Sequence, residues 1–180
     1  MNDRLRVAAV VLAAGAGTRF GGPKQRLFLP SVVATLREAP VDPIVVVAGA
    51  YPLDVDGARV VEFADWERGP GASLRRGLRA LPRETEAAVV CLADGPRLRP
   101  AAVERVIARW RRGAGEVVAA SYGGERGHPV LLGRPVWPTI PDEGARTLEA
   151  DLVPCDDIGS PGDVDTADQV GRLEPPIAEL

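Results

Sequence analysis

The sequence predicts an α/β protein of three layers, in which helices cover both faces of a mixed, mainly parallel sheet. Short apolar runs rich in β-branched residues predict buried strands. Between several of them lie segments whose apolar residues recur at helical spacing. Strands that alternate with helices are typical of a parallel sheet covered on both sides. Since no repeat or linker interrupts the pattern, we expect a single domain over residues 1–173 and a disordered tail over 174–180.

The predicted elements follow one another in regular order along the chain. Strands are predicted at 7–13, 44–48, 60–63, 88–93 and 117–120, and helices at 31–38, 72–81 and 101–112. Pro100 precedes the third helix, where proline is favoured as the first helical residue. Beyond it we expect a glycine-rich loop entering a strand within 122–132, a short helix at 143–150, a strand near 152–155 and a helix at 166–173. The carboxyl ends of parallel strands share one edge of a sheet, where ligands bind.

The composition excludes several classes of protein. A formal net charge of −3, with acids and bases interspersed, argues against nucleic acid as a partner. No apolar run reaches membrane-spanning length, and the N-terminus lacks the pattern of a signal peptide, so we expect a cytoplasmic protein without membrane contact. Cys91 and Cys155 lie too far apart for a metal-ligand motif, and we expect buried thiols. Lys24 is the single lysine among 22 basic residues, which suggests that its position needs a compact ammonium.

A glycine-rich loop follows the first predicted strand. Gly15 and Gly17 allow backbone N–H groups to converge on a phosphate, and Arg19 and Lys24 add positive charge. The alternative is an ordinary flexible connection. The loop is not a Walker A motif, because Gly-Lys-Ser/Thr is absent. It also fits a dinucleotide fingerprint poorly, since the third glycine comes late and no acid ends the second strand. A nicotinamide-binding enzyme is therefore disfavoured.

Acidic residues occupy two places where a divalent cation could bind. Asp94 follows the fourth predicted strand at the expected ligand edge, where a carboxylate suits a hard cation such as Mg²⁺. Its alternative role is to cap a turn, as Asp-Gly often does. Asp163 and Asp165 precede the last predicted helix, which Thr166 could equally cap in a purely structural arrangement.

Three segments together resemble the MobA-like nucleotidyltransferases: LAAGAGTRFGGPK at 12–24, LADGP at 92–96 and SPGDVDTADQV at 160–170. The resemblance implies a nucleotide-diphospho-sugar-transferase-like, Rossmann-like fold and Mg²⁺ as cofactor. It implies catalytic roles for Arg19, Lys24 and Asp94, and metal binding by Asp94 with Asp165, or as second choice Asp163. The nucleotide-binding residues that it implies are Leu12, Ala13, Ala14, Gly15, Gly17, Thr18, Arg19, Lys24, Ser73 and Asp94.

Two further segments resemble the cytidylyltransferase branch of that family. They are GHPV at 127–130, which places His128 on the acceptor side in a binding or a structural role, and PDEGAR at 141–146. The resemblance implies transfer of a nucleoside monophosphate from CTP or GTP to a small phosphorylated acceptor, with molybdopterin first, and release of pyrophosphate. It also implies transient contact with a cofactor-receiving enzyme. The family's Gly-x-Pro-Leu turn is missing after Lys24, which alters the acceptor side. The alternative function is a non-catalytic carrier of nucleotide or cofactor.

Overall fold

The computed structural model describes residues 6–18 and 21–162, and its described strands form one seven-stranded sheet. The strand order across the sheet is β3-β2-β1-β4-β6-β5-β7. The strands are β1 Val7–Ala13, β2 Ile44–Ala48, β3 Arg59–Glu62, β4 Ala87–Leu92, β5 Val117–Tyr122, β6 Glu125–Gly133 and β7 Asp151–Pro154. The α-helices are α1 Gln25–Glu38, α2 Pro70–Arg79 and α3 Pro100–Arg111, and 3₁₀ turns occupy Trp66–Arg68, Arg134–Thr139 and Ala145–Thr147.

The sheet is mixed and mainly parallel, which confirms the predicted fold class. The pairs β1–β2, β1–β4, β2–β3 and β5–β7 are parallel, whereas β6 runs antiparallel to both β4 and β5. Successive residues of β1 point to opposite faces, so that Val11 joins one core and Val10 the other. Helices α1 and α3 cover the first face, and α2 covers the second. The result is a three-layer arrangement with two hydrophobic cores.

Helix α1 begins at Gln25, six residues before the predicted start at Ser31, so the predicted boundary was wrong. The helix contains Pro30, the residue directly before the predicted start. Burial explains the difference, because the apolar residues on both sides of the proline lie on the face that covers the sheet. The buried apolar residues are Phe28, Leu29, Val32, Val33 and Leu36.

The helix predicted at 143–150 was also wrong, since this segment contains only a 3₁₀ turn at Ala145–Thr147. Gly144 has φ +87°, a left-handed conformation that ends regular helix geometry. The carbonyl groups of Ala145 and Leu148 accept hydrogen bonds from the guanidinium of Arg126. These carbonyls therefore bond to a side chain of β6, and the segment stays a loop.

The remaining boundaries agree within two residues for the elements that the structure describes. Both cysteines are buried free thiols, and burial raises the pKa of Cys91 to about 12. Within residues 6–18 and 21–162 no helix is both long and apolar enough to cross a membrane. The predicted helix at 166–173, the tail at 174–180, Arg19, Asp163 and Asp165 lie outside the described residues.

Gly77 decides how closely α2 approaches the sheet. A Cβ atom at this position would come within 2.6 Å of a methyl carbon of Val10 and 2.8 Å of one of Val47. Both valines are fully buried on central strands, so neither can move aside easily. Glycine is the residue that permits this contact between the helix and the two strands.

We expect Gly77→Ala to destabilise the fold by about 1–3 kcal/mol, because overpacking outweighs the gain of about 1 kcal/mol in helix propensity. Urea unfolding followed by circular dichroism would measure the change. Gly22→Ala is the control, since a Cβ there meets nothing within 4 Å and the backbone is not left-handed. Equal stability of Gly77→Ala and the unmodified protein would contradict this account of the packing.

Candidate functional site

The carboxyl ends of β1 and β4 open into a cavity of about 280 Å³. Strand β1 continues into the glycine loop, and β4 continues into the turn that carries Asp94. The two strands pair in parallel with Leu12 opposite Leu92, so the loop and the turn leave the sheet side by side. The residues that line this first cavity are Leu12, Ala13, Gly15, Gly17, Thr18, Lys24, Gln25, Leu92, Ala93 and Asp94.

The glycine loop is held in a tight turn at Gly17. Gly17 has φ +60°, and a Cβ atom there would lie 2.3 Å from the carbonyl oxygen of Gly22. The carbonyl of Gly17 accepts hydrogen bonds from the backbone N–H groups of Gly21, at 3.1 Å, and Gly22, at 3.4 Å. Any side chain at residue 17 would therefore be strained and would collide with the backbone. The turn brings Gly15, Gly17 and Thr18 to the cavity wall, as a phosphate-binding loop requires.

Lys24 and Asp94 meet across this first cavity. The Nζ atom of Lys24 lies 2.6 Å from Oδ2 of Asp94, and their side chains are 11% and 22% exposed. Such limited exposure weakens screening by water, so the pair interacts more strongly than a surface ion pair. The structure thus places next to each other two residues that are 70 positions apart in the sequence and that the sequence analysis selected separately.

Gln25 is a site residue that the sequence analysis missed. It is the first residue of α1 and only 4% exposed, and it lines the first cavity next to Lys24. Its Nε2 donates a hydrogen bond of 2.6 Å to the carbonyl of Gly15. One signal for Gln25 is present in the sequence, namely a polar residue placed directly before the apolar stripe of α1. That signal alone does not distinguish a buried glutamine from an exposed one.

A second, more apolar cavity of about 310 Å³ adjoins the first and shares Leu12 and Leu92 with it. It brings together the segments at 127–130 and 141–146, which the sequence analysis had selected separately. The start of α2 supplies another part of its wall. The residues lining this second cavity are Leu12, Pro70, Leu74, Val90, Leu92, Arg126, Gly127, His128, Val130, Glu143, Gly144, Ala145 and Arg146.

Two arginines hold the loop that forms one side of the second cavity. Arg126 donates to the carbonyls of Leu148, at 2.5 Å, and Ala145, at 3.0 Å. Arg75 donates to the carbonyl of Ile140 at 2.6 Å and forms an ion pair with Asp142. The Arg75 guanidinium holds the pKa of Asp142 below its ordinary value. Both guanidiniums are thus engaged by protein acceptors, which fixes the shape of the loop.

His128 lines the second cavity, in an environment that disfavours its charged form. Burial lowers the pKa of His128 to about 4, and the positive charge of Arg126 acts in the same direction. The carboxylate of Asp94 opposes this shift but does not overcome it. His128 is therefore a neutral imidazole at pH 7, able to donate one hydrogen bond and accept another.

Among the predicted nucleotide-binding residues that the structure describes, Ser73 and Ala14 line neither cavity. Ser73 is buried inside α2, where its backbone N–H donates to the carbonyl of Gly69 at 3.3 Å. Ala14 is buried, and its carbonyl accepts a hydrogen bond from the N–H of Ala50. Their roles in binding stay predictions.

The predicted metal site is only partly covered by the described residues. Asp94 is the one carboxylate among them that lines the first cavity, and they contain no cluster of three or more His, Cys, Asp or Glu residues. A Cβ atom on Gly95 would lie 3.3 Å from the carbonyl oxygen of Gly162, so the chain before Asp163 returns to the turn that carries Asp94. An oxygen ligand on the cavity wall fits a hard cation such as Mg²⁺.

Residues 9–152 match the family model of the MobA-like NTP transferase domain, and the chain belongs to this family. Nicotine blue oxidoreductase of Paenarthrobacter nicotinovorans is 30% identical to this chain, and the similarity covers 93% of this chain and 96% of that protein. Solved nucleotidyltransferases share the mixed sheet and flanking helices, which is the nucleotide-diphospho-sugar transferase fold.

Two similar crystal structures are mycobacterial. A homologue of Rv0371c from Mycobacterium sp. strain JC1 has a TM-score of 0.79 and 30% identity, covering 98% of this chain and 97% of that one. Rv0371c of Mycobacterium tuberculosis, in complex with manganese, has a TM-score of 0.74 and 27% identity, covering 93% and 97%. Divalent metal is thus bound within the family.

We expect His128 to titrate near pH 4, far below an ordinary histidine. Because it is the only histidine, its ring protons can be assigned directly in a one-dimensional NMR titration. The unfolded chain takes up its proton near pH 6.5, so the free energy of unfolding should fall as the pH drops from 6.5 towards 4. The variant His128→Gln should lack this part of the pH dependence. A measured value near 6.5 would contradict the buried, neutral state.

Proposed function

We propose that the protein is a nucleotidyltransferase of the EC 2.7.7 type, which moves a nucleoside monophosphate from a nucleoside triphosphate to a small phosphorylated acceptor. The observation that carries this proposal is the ion pair of Lys24 and Asp94, 2.6 Å apart, in the cavity that the glycine loop lines. A cation suited to phosphate and a carboxylate suited to Mg²⁺ are the two charges that such a reaction needs.

In this proposal each charged group has its own role. The N–H groups of the glycine loop and the ammonium of Lys24 bind the phosphates, with Arg19 as a second cation. Asp94 holds Mg²⁺, together with Asp165 or Asp163. When bound, Mg²⁺ neutralises phosphate charge and orients the phosphates. An oxygen of the acceptor phosphate forms a bond to the α-phosphorus, the bond from that phosphorus to the bridging oxygen breaks, and pyrophosphate leaves.

The acceptor occupies the second cavity in this scheme. An acceptor phosphate is already ionised and needs no general base, which agrees with a neutral His128 that positions the acceptor by hydrogen bonds. The walls are mostly carbon, from Leu74, Val90, Val130 and their neighbours. A flat ring can place its faces against these carbon walls and its polar edge towards His128 and the loop, so an acceptor with a planar ring system fits better than a sugar, whose hydroxyl groups would be buried on all sides. Molybdopterin is our first candidate, with CTP or GTP as donor, which would require transient contact with the enzyme that receives the cofactor.

The proposal is tested by assaying pyrophosphate release with each common triphosphate against a panel of phosphorylated acceptors that includes molybdopterin. Release that requires both substrates and a divalent cation would support transfer. Tight nucleotide binding without release under any combination would instead favour the alternative, a non-catalytic carrier of nucleotide or cofactor.

A second candidate function is reduction of an organic acceptor by a reduced nicotinamide cofactor. The relative named Nicotine blue oxidoreductase, similar over 93% of the chain, favours it. The glycine loop argues against it, because Gly17 turns back on Gly22 and α1 begins only at Gln25, unlike a dinucleotide fingerprint. Titration with NADH and NADPH, followed by their fluorescence, distinguishes the two functions. Saturable binding of NADH or NADPH, together with no affinity for nucleoside triphosphates, would favour the reductase.

We expect Asp94→Asn to lower kcat/KM for transfer by about a hundredfold or more, because the amide keeps the shape but loses the charge that holds Mg²⁺. The matched control is Asp157→Asn, which removes an exposed ion pair with Arg105 outside the first cavity and should keep normal activity. Circular dichroism would establish that both variants are folded. Turnover of Asp94→Asn close to normal at saturating Mg²⁺ would refute the assignment.

We also expect Lys24→Arg to lower kcat/KM on the order of a hundredfold, since a shift of about 1 Å in the phosphates can cost that much. The Lys24 side chain is 11% exposed, and its ammonium lies between Asp94 and the glycine loop, where a wide planar guanidinium has little room. Arg109→Lys is the control, because its ion pair with Asp151 is on the surface. If both variants retain full activity, the single lysine has no special role.

A further inference from the structure

Gln25 lines the first cavity and has a buried polar atom without a hydrogen-bond partner. Among the residues that the structure describes, its Oε1 is the only buried side-chain nitrogen or oxygen atom without a hydrogen-bond partner. Buried polar groups are nearly always paired, and one left unpaired destabilises the fold. An unpaired atom beside a ligand cavity therefore calls for a physical explanation.

The chemistry of the amide fixes its orientation. The carbonyl of Gly15 can only accept a hydrogen bond, so the amide nitrogen must be the group that faces it, at 2.6 Å. The amide oxygen cannot take that place, and it lacks any donor of the described chain. The side chain thus fixes the glycine loop with one atom and leaves the other as an acceptor.

From this arrangement we propose that Gln25 is a positioning residue of the nucleotide site, with two actions. Its Nε2 holds the carbonyl of Gly15, which keeps the phosphate loop in its binding shape. Its Oε1 accepts a hydrogen bond from a donor that the nucleotide–metal complex brings. This inference rests on the proposed function, because it assumes that the first cavity binds a nucleoside triphosphate.

The nature of the donor follows from what the ligand offers. Phosphate oxygens of an ionised triphosphate are acceptors only and would not pair with an amide oxygen. Two donors remain: a water molecule on the bound divalent cation, and a hydroxyl or amino group of the nucleoside. Mg²⁺ usually keeps several of its waters, and their O–H groups would point away from the metal towards such an acceptor.

Gln25→Met tests the proposal, because methionine has a similar length and removes both polar atoms. Without ligand, the melting temperature should change little, since the loss of the hydrogen bond to the carbonyl of Gly15 offsets the removal of the unpaired oxygen. With ligand, the Kd of the Mg²⁺–CTP and Mg²⁺–GTP complexes should rise about tenfold. A structural residue would give the opposite pattern. A lower melting temperature of Gln25→Met with unchanged affinity for the nucleotide complexes would therefore overturn the proposal. A crystal structure of the nucleotide complex in which an ordered water, bound to neither metal nor nucleotide, donates to Oε1 would also overturn it.

Two further titrations identify the donor. Magnesium tripolyphosphate has metal-bound water but no nucleoside, and CTP in EDTA has a nucleoside but no metal. If Gln25→Met lowers the affinity for magnesium tripolyphosphate, the nucleoside is not the group that Gln25 contacts, and the effect comes from a metal-bound water or from the loop itself. If only the affinity for CTP falls, the donor is a group of the nucleoside. If neither affinity changes, the proposal is wrong.

Thr35→Val is the matched control on the same helix, since the Thr35 hydroxyl donates to the carbonyl of Leu98 at 3.4 Å and does not line the first cavity. Its affinity for the same ligands should equal that of the unmodified protein. If the unmodified protein binds no triphosphate at all, the proposed function fails. If it binds triphosphate and Gln25→Met binds it equally well, only this inference fails.

Discussion

The parallel pairing of β1 with β4 is the constraint on which the site depends. The two strands run in register from Val7 opposite Ala87 to Leu12 opposite Leu92, and both are almost completely buried. The N–H of Ala93 still donates to the carbonyl of Leu12, at 3.1 Å, at the point where the chains diverge. If β4 slipped by one residue along β1, Asp94 would move by about 3.3 Å and the side chains of β4 would point to the opposite face of the sheet. The contact of Asp94 with Lys24 would then be lost.

The two cavities differ in how their walls are held, and this difference suits two different ligands. The wall of the first cavity combines the glycine loop with the charged side chains of Lys24 and Asp94, and the loop is shaped by the positive φ of Gly17 and bonded to α1 through Gln25. The wall of the second is mostly side-chain carbon, with one loop held by Arg75 and Arg126. Converging backbone N–H groups suit phosphates, whereas carbon walls suit a ring system.

The loop at 140–148 depends on a close approach of two backbone segments. The N–H of Gly71, at the start of α2, donates to the carbonyl of Asp142 at 3.0 Å. A Cβ atom on Gly71 would lie only 1.8 Å from the carbonyl oxygen of Pro141, so no other residue fits without moving the loop. Gly71 thus shapes the second cavity, although the sequence resemblance selected Ser73 in the same helix.

The sequence by itself determined the layers, the strands of the central sheet and the two motifs of the first cavity, because hydrophobic periodicity and glycine-rich turns are local properties. Only the tertiary structure decided the helical course of Gln25–Glu38 through Pro30 and the irregular loop at 143–150. It also decided the burial of Gln25 and the ion pair of Lys24 with Asp94. These features depend on contacts between residues that are distant in sequence. A local sequence pattern does not show which distant residue donates a hydrogen bond to a loop carbonyl, covers the amide of Gln25 or pairs with the charge of Lys24.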